Sequence, residues 1–242
     1  MYMIKVNEVS KSFNNSKVLN GISYEIKDGD FVLITGENGA GKSTLLKILI
    51  GLLIPDSGDV QIDNFNVKKD WKKISKEIGV VMSNERSLYW KLSGRENLDI
   101  FGGIYGVKRN KKKEKIIELL RYFNLIDHID KPVENYSTGM RKKLMLCKAL
   151  IHEPKTLFID EALNGLDPKA TEEMIFYLNK LNENGLTIIM ISHILHGFND
   201  DIKIMHLKDG KIDFIKRMKE IKNNSNGDIY SYYSNILSEG EK

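Results

Sequence analysis

The chain predicts an α/β fold: a mostly parallel β-sheet with a phosphate-binding loop at the end of one strand and a helical subdomain inserted into the middle of the sequence. Three observations carry this. Short apolar strand-like runs alternate with helical stretches, the pattern of strand–helix crossovers. Residues 36–44 read Gly-Glu-Asn-Gly-Ala-Gly-Lys-Ser-Thr, a complete match to G-x-x-x-x-G-K-[ST], directly after the apolar run 31–35. Between residues 71 and 152 the pattern turns largely helical before strand-like runs return.

In chain order, strand-like runs occupy residues 4–6, 18–26, 31–35 and 60–62, and a helix over 43–53 follows the loop. A short apolar run at 78–82 precedes helical patterns at 94–105 and 111–123, where Ile116, Leu119, Leu120 and Phe123 recur at three- and four-residue spacing. Strand-like runs at 156–159, 187–191 and 202–207 are separated by a long helix over 168–184, whose start is marked by Asp167-Pro168. Residues 216–242 are rich in Lys, Asn, Ser and Glu; we expect a tail docking on the core or on a partner, with a short helix around 230–237.

The loop implies a nucleoside triphosphate site. Gly36, Gly39 and Gly41 permit backbone angles that a Cβ resists, so successive N–H groups can converge on phosphate oxygens. Glu37, Asn38 and Ala40 supply further backbone to that cradle. Lys42 brings a point charge for the β- and γ-phosphates, Ser43 a hydroxyl for Mg²⁺, and the helix beginning at Ser43-Thr44 its N-terminal dipole. An ordinary Gly-rich turn is the bland alternative; the full pattern with its flanking strand and helix outweighs it.

At 242 residues, 41% hydrophobic and 29% charged, the chain can bury a core and fits one α/β domain with a subdomain. Its 37 basic and 33 acidic residues are interspersed, and a net charge of +4 is too slight to argue for a nucleic-acid groove, so no nucleic-acid partner is expected. The basic run 108–115 is the sharpest local exception; it could face anionic headgroups, but such a loop and first helical turn are usually just solvated. One cysteine, Cys147, excludes an internal disulfide and a multi-cysteine metal site, so the expectation is cytoplasmic residence with Cys147 as a small buried hydrophobe. No signal-like opening and no window near ~20 apolar residues are present, so the chain is not expected to cross a membrane itself.

A second chemical site lies at Asp160-Glu161, two carboxylates ending the apolar run 156–159. Asp160 is placed to hold the Mg²⁺ shell, and Glu161 to act as general base for the water that attacks the γ-phosphate. A third motif, Tyr136-Ser-Thr-Gly-Met-Arg141, precedes an apolar-periodic helix. Read locally it is a Ser/Thr N-cap.

At this position and spacing, however, it resembles the LSGGQ signature of the ABC transporter ATPase family, and the resemblance extends over residues 3–214. It implies a P-loop NTPase (RecA-like) core with an N-terminal antiparallel β-subdomain, an ATPase domain over 1–214 with a helical insert at 71–152, and a C-terminal tail at 215–242. Phe13 matches the aromatic that stacks on adenine, residues 164–167 look like the D-loop, and His193 matches the switch histidine that contacts the γ-phosphate. The resemblance further implies that two ATPase domains, as a homodimer or pseudo-dimer, sandwich Mg-ATP, so that Ser137 and Gly139 act across the dimer. A serine hydroxyl and free N–H groups at a helix N-terminus suit that role.

One element departs. Where the family places a glutamine after the strand opening the helical subdomain, this chain has Ser83-Asn84-Glu85-Arg86. Ser83, Asn84 or Glu85 would have to supply the oxygen or amide instead. The neighbouring stretch 85–98 looks like the exporter branch (the ABC-2 class), and Leu88, Tyr89 and Trp90 are candidates for a groove receiving a cytoplasmic helix of an integral-membrane permease. Packing of those three inside the helical subdomain is the competing reading. The function expected is therefore an ATP-hydrolysing subunit at the inner face of the cell membrane, driving export through separate membrane subunits. The alternatives are a soluble ABC-type ATPase acting on ribosome or DNA, and a regulatory module that binds nucleotide without useful turnover.

Overall fold

A computed structural model of the chain describes residues 3–83 and 87–224. Two sheets and a set of helices share two apolar cores. The first sheet is antiparallel, in the order β2-β1-β4-β5, built from β1 (Met3–Phe13), β2 (Ser16–Lys27), β4 (Ser57–Ile62) and the two-residue β5 (Phe65–Asn66). The second has the order β10-β9-β3-β8-β7-β6. Its strands β3 (Phe31–Gly36), β6 (Ile78–Val81), β7 (Thr156–Asp160), β8 (Thr187–Ile191) and β9 (Lys203–Lys208) pair in parallel, and β10 (Lys211–Arg217) closes one edge antiparallel to β9.

The central strands are buried on both faces, which explains their continuous rather than alternating apolar runs. Alternation survives in what each side chain meets. Phe31 and Leu33 of β3, Leu157 and Ile159 of β7, and Ile188 and Met190 of β8 face a core shared with the helices. Val32, Ile34, Phe158, Ile189 and Ile191 face a second core filled by α1 (Lys42–Leu49) and the antiparallel sheet. The helix after the loop thus ends at Leu49, earlier than the expected residue 53, because Gly51 turns the chain with a positive φ of 70°.

The helical side comprises a short α2 (Trp71–Ile74), then α3 (Gly94–Ile104), α4 (Arg109–Tyr122), α5 (Thr138–Leu150) and α6 (Pro168–Glu183). Ser93 caps α3 through a capping box with Glu96, a signal the apolar spacing did not draw on, and Asp167 caps α6 by accepting from the Ala170 N–H, so the Asp167-Pro168 start signal is used. The interval 71–152 is not helical throughout: β6 within it is the edge strand of the large sheet. Cys147 is fully buried, and burial pushes its thiol pKa upward, as a structural cysteine requires. At the other end, residue 214 lies inside β10, and α7 (Met218–Asn224) places Met218 and Ile221 in the helix-side core. The short helix expected around 230–237 lies outside the described residues.

Asn97 on α3 is completely buried and spends its amide on one segment. Its Oδ1 accepts from the Tyr89 N–H (2.8 Å), and its Nδ2 donates to the carbonyls of Tyr89 (2.9 Å) and Ser93 (2.9 Å). Removing it strands several buried backbone groups. Asn97→Ala is therefore expected to destabilise the protein by about 2–4 kcal/mol, read as a lower urea midpoint at unchanged m-value.

Candidate nucleotide-binding site

The phosphate loop leaves β3 and enters α1 as the sequence predicts. Gly36 (φ 142°), Gly39 (φ 90°) and Gly41 (φ 97°) all occupy the positive-φ region. At two of them the space is also closed: a Cβ on Gly36 would stand 2.3 Å from the Leu207 carbonyl oxygen, and one on Gly41 2.7 Å from that of Val18. Lys42 is buried, and its ammonium donates to the carbonyls of Gly36 and Glu37, both at 2.8 Å. That curls the loop about its own lysine. Desolvation holds the Lys42 pKa below its ordinary value, with Glu161 and Asp160 opposing the shift.

Asp160, at the end of β7, is buried and meets the Ser43 hydroxyl at 3.5 Å. Burial and the adjacent Glu161 raise its pKa, while Lys47, Ser43 and Lys42 pull the other way. Two neighbouring carboxylates with a hydroxyl beside the buried one form a hard oxygen donor set with excess negative charge, which suits Mg²⁺. Among the described residues no cluster of three or more His, Cys, Asp or Glu could hold a metal by itself, so phosphate and water oxygens must complete such a shell.

Glu161 has φ 51°, rare for a residue with a Cβ and worth of order 1 kcal/mol of strain. Its Oε2 accepts from Asn164 Nδ2 at 2.9 Å, and Oε1 lies 3.8 Å from Nε2 of His193, which follows β8. Lys42, Ser43, Asp160, Glu161 and His193 thus gather at the carboxyl ends of three adjacent strands, where ligands of open α/β sheets bind. Asn164 is the residue the sequence reading placed only within a loop motif; its amide now holds the Glu161 carboxylate.

Phe13 is 45% exposed, with the Lys11 ammonium 5.5 Å from its ring centroid. Its register partner Ser16 lines a cavity of about 530 Å³ shared with Glu37, Asn38, Gly39, Ala40 and the β9–β10 turn. Phe13 itself is not among the residues lining that cavity. Ser137 and Gly139 are a different case. Ser137 is exposed and caps α5, accepting from the Met140 N–H at 3.2 Å, and among the described residues no hydrogen bond joins it to the phosphate loop. The Arg141 guanidinium donates to the Tyr136 carbonyl and, at 3.2 Å, to Thr138 Oγ1, fixing the turn.

Of the three candidates for a docking groove, Leu88 is a correction: it is 5% exposed and packs in the helix-side core. Tyr89 and Trp90 remain 50% and 44% exposed. Tyr89 stacks on Phe101 at 5.8 Å, Lys148 lies 4.8 Å from the Phe101 ring, and Arg141 lies 5.3 Å from that of Trp90. Of the residues that stand where the family glutamine would, 84–86 lie outside the described residues. In the basic run, Lys112 pairs with Asp99 (2.8 Å) and Lys115 with Glu118 (2.8 Å) and Glu153 (3.2 Å), so part of its charge is neutralised locally.

Residues 19–164 match the family model described as ABC transporter. The chain belongs to the ABC transporter family. It is 34% identical over 197 residues to the ABC transporter ATP-binding protein NatA of Bacillus subtilis (strain 168), covering 80% of each chain. With the Nod factor export ATP-binding protein I of Rhizobium sp. (strain N33) it shares 37% identity over 187 residues, 77% of this chain and 61% of that protein. The dimeric, post-hydrolysis ATP-binding cassette MJ0796 bound to ADP and Pi superposes with a TM-score of 0.76 at 26% identity, over 89% of this chain and 98% of the other. Membership and fold make the protein an ATP-binding and ATP-hydrolysing subunit of an ABC transporter. Its relatives are transporter subunits, which disfavours action on ribosome or DNA. Among the described residues no helix is long and apolar enough to cross a membrane.

Proposed function

We propose that this chain powers export through separate integral-membrane subunits, closing with a second ATPase domain on two Mg-ATP at the cytoplasmic face of the membrane. The observation that carries the reading is a site split in two. Lys42, Ser43, Asp160, Glu161 and His193 converge on one cradle, while Ser137 and Gly139, at the N-terminus of α5, make no hydrogen bond to that cradle among the described residues. An N-terminus of this kind attracts anions, and a second copy's phosphates would complete it.

Within the cradle, Gly36 to Thr44 turn backbone N–H groups and the Lys42 ammonium toward the phosphates, and Phe13 offers a ring face to the base. Ser43 and Asp160 would hold Mg²⁺, which neutralises phosphate charge and orients the oxygens. Glu161 accepts the proton of the attacking water, with Asn164 fixing its carboxylate, and His193 donates to the γ-phosphate oxygen. The division into a domain over 1–214 with its insert at 71–152 and a tail from 215 belongs to the same proposal.

For the membrane subunit, Tyr89 and Trp90 are the proposed contact, supported by their exposure on a segment that Asn97 immobilises. Rigid aromatics supply contact area at little entropic cost. The direction of transport draws on the Nod factor relative and on the exporter-like stretch 85–98.

Ser137→Arg tests the shared site. The longer cation should obstruct closure, so hydrolysis is expected to fall by at least about 10²-fold while ATP affinity of the monomer changes by less than about threefold. A marked drop in monomer affinity would place the signature within its own chain's site and overturn the sandwich.

A further inference from the structure

We propose that Lys222, on the C-terminal helix α7, is a positioning residue for His193, acting through the loop that follows β8. The inference rests on the reading of His193 as a γ-phosphate contact.

His193 stands near the start of the 192–202 loop, which connects β8 to β9. The near end is fixed: the Ser192 N–H donates to the Ile34 carbonyl (3.3 Å), and Ser192 Oγ accepts from the Ile194 N–H (3.0 Å). His193 itself is exposed, and its one described polar contact is the 3.8 Å approach to Glu161. The rest of the loop that carries His193 is held from its far end.

That end is clamped from two helices. On α6, Asn179 Nδ2 donates to the Gly197 carbonyl at 2.9 Å. On α7, the single ammonium of Lys222 donates both to the Phe198 carbonyl (3.1 Å) and to the Asp200 carboxylate (2.6 Å). Backbone bonds run alongside, from the Lys219 N–H to Asp200 O and from the Met218 N–H to Ile202 O, each 2.9 Å. Met218 and Ile221 share a core with Leu195, Phe198 and Ile202, and Phe198 packs edge-on against Phe31 at 5.4 Å.

Lys222 differs from the other cations nearby. Arg217 and Lys219 reach only the carboxylate of Asp201, which is 81% exposed, at 3.5 and 3.3 Å. Such surface pairs contribute little. Lys222 instead ties a backbone carbonyl and a side chain two residues apart, so it fixes the conformation of the loop and not merely its attachment. Among the contacts that join the segment after the last strand to this loop, Lys222 is the side chain that reaches both Phe198 and Asp200.

The test is steady-state ATP hydrolysis by the full chain carrying Lys222→Met, Lys222→Arg, His193→Ala, and the Lys222→Met/His193→Ala pair, with melting temperature and ATP affinity measured on each. Lys222→Met keeps most of the aliphatic packing and removes the donors. The expected result is a fall in kcat of about 5- to 20-fold with KM and melting temperature close to wild type, recovery of most of the rate in Lys222→Arg, and a double variant no slower than His193→Ala alone. An unchanged kcat in Lys222→Met, a parallel loss of kcat and melting temperature, or a double variant slowed by the product of the single effects would overturn the proposal. An unchanged kcat in His193→Ala would instead overturn the reading of His193 on which it rests.

Discussion

Glu161→Gln is expected to retain Mg-ATP binding, lose about 10²- to 10⁴-fold in turnover, and accumulate as an ATP-dependent dimer. The amide matches the carboxylate in size and can still pair with Asn164, so the kinked backbone at φ 51° and the Asn164 contact at 2.9 Å survive the change. What disappears is the ability to take a proton. The phosphate contacts sit on other residues: Lys42 and the loop N–H groups are untouched, and so are Ser43 and Asp160. Removal of the neighbouring charge also relieves Asp160, whose pKa Glu161 helps to raise, which favours its ionised carboxylate. Mass in solution with and without Mg-ATP reads the outcome. A dimer that forms only with nucleotide, together with the rate loss, fits a base that acts after closure. Wild-type turnover in the variant would remove Glu161 from that role.

Several parts of this molecule were legible because their chemistry demands a fixed residue at a fixed place. The loop glycines could be read from 36–44 since a side chain fits poorly at φ 142° beside the Leu207 carbonyl, at φ 97° beside that of Val18, or at the φ of 90° that Gly39 adopts. The strands β3, β7 and β8 were legible as unbroken apolar runs because both faces are covered. Other features depend on long-range contacts that leave no local trace. Leu88 sits beside two exposed aromatics in sequence, and only the tertiary arrangement puts it in the core. Residues 7–13 and 16–17 belong to long strands although their polar side chains show no clean alternation, because register shifts in the β1–β2 pairing interrupt it. The turn at Gly51 ends α1 where helical periodicity alone would run on. Lys222 is the sharpest case: in sequence it is one lysine in a lysine-rich stretch, and its significance comes from a loop more than twenty residues earlier.

Lys42→Ala should separate binding from chemistry in the opposite sense. Its ammonium is buried and committed to the Gly36 and Glu37 carbonyls at 2.8 Å, a geometry that keeps the charge within the curl of the loop where phosphate oxygens would arrive. The same ammonium would donate to the β- and γ-phosphates, and two such charge-assisted hydrogen bonds of about 1.5–3 kcal/mol each correspond, when lost, to roughly 10²- to 10⁴-fold weaker ATP binding. The alanine also leaves two carbonyls without their donor and lets the loop relax, which acts in the same direction. Its pKa is already held down by desolvation, and a lysine placed in that position is favoured by the nearby carboxylates and by an anionic ligand alike. Equilibrium binding of Mg-ATP to both variants decides between the roles: Lys42→Ala should fail at concentrations that saturate Glu161→Gln. Equal loss of affinity in the two would mean that Glu161 takes part in holding the nucleotide, and the assignment of binding to the loop and proton transfer to the end of β7 would have to be redrawn.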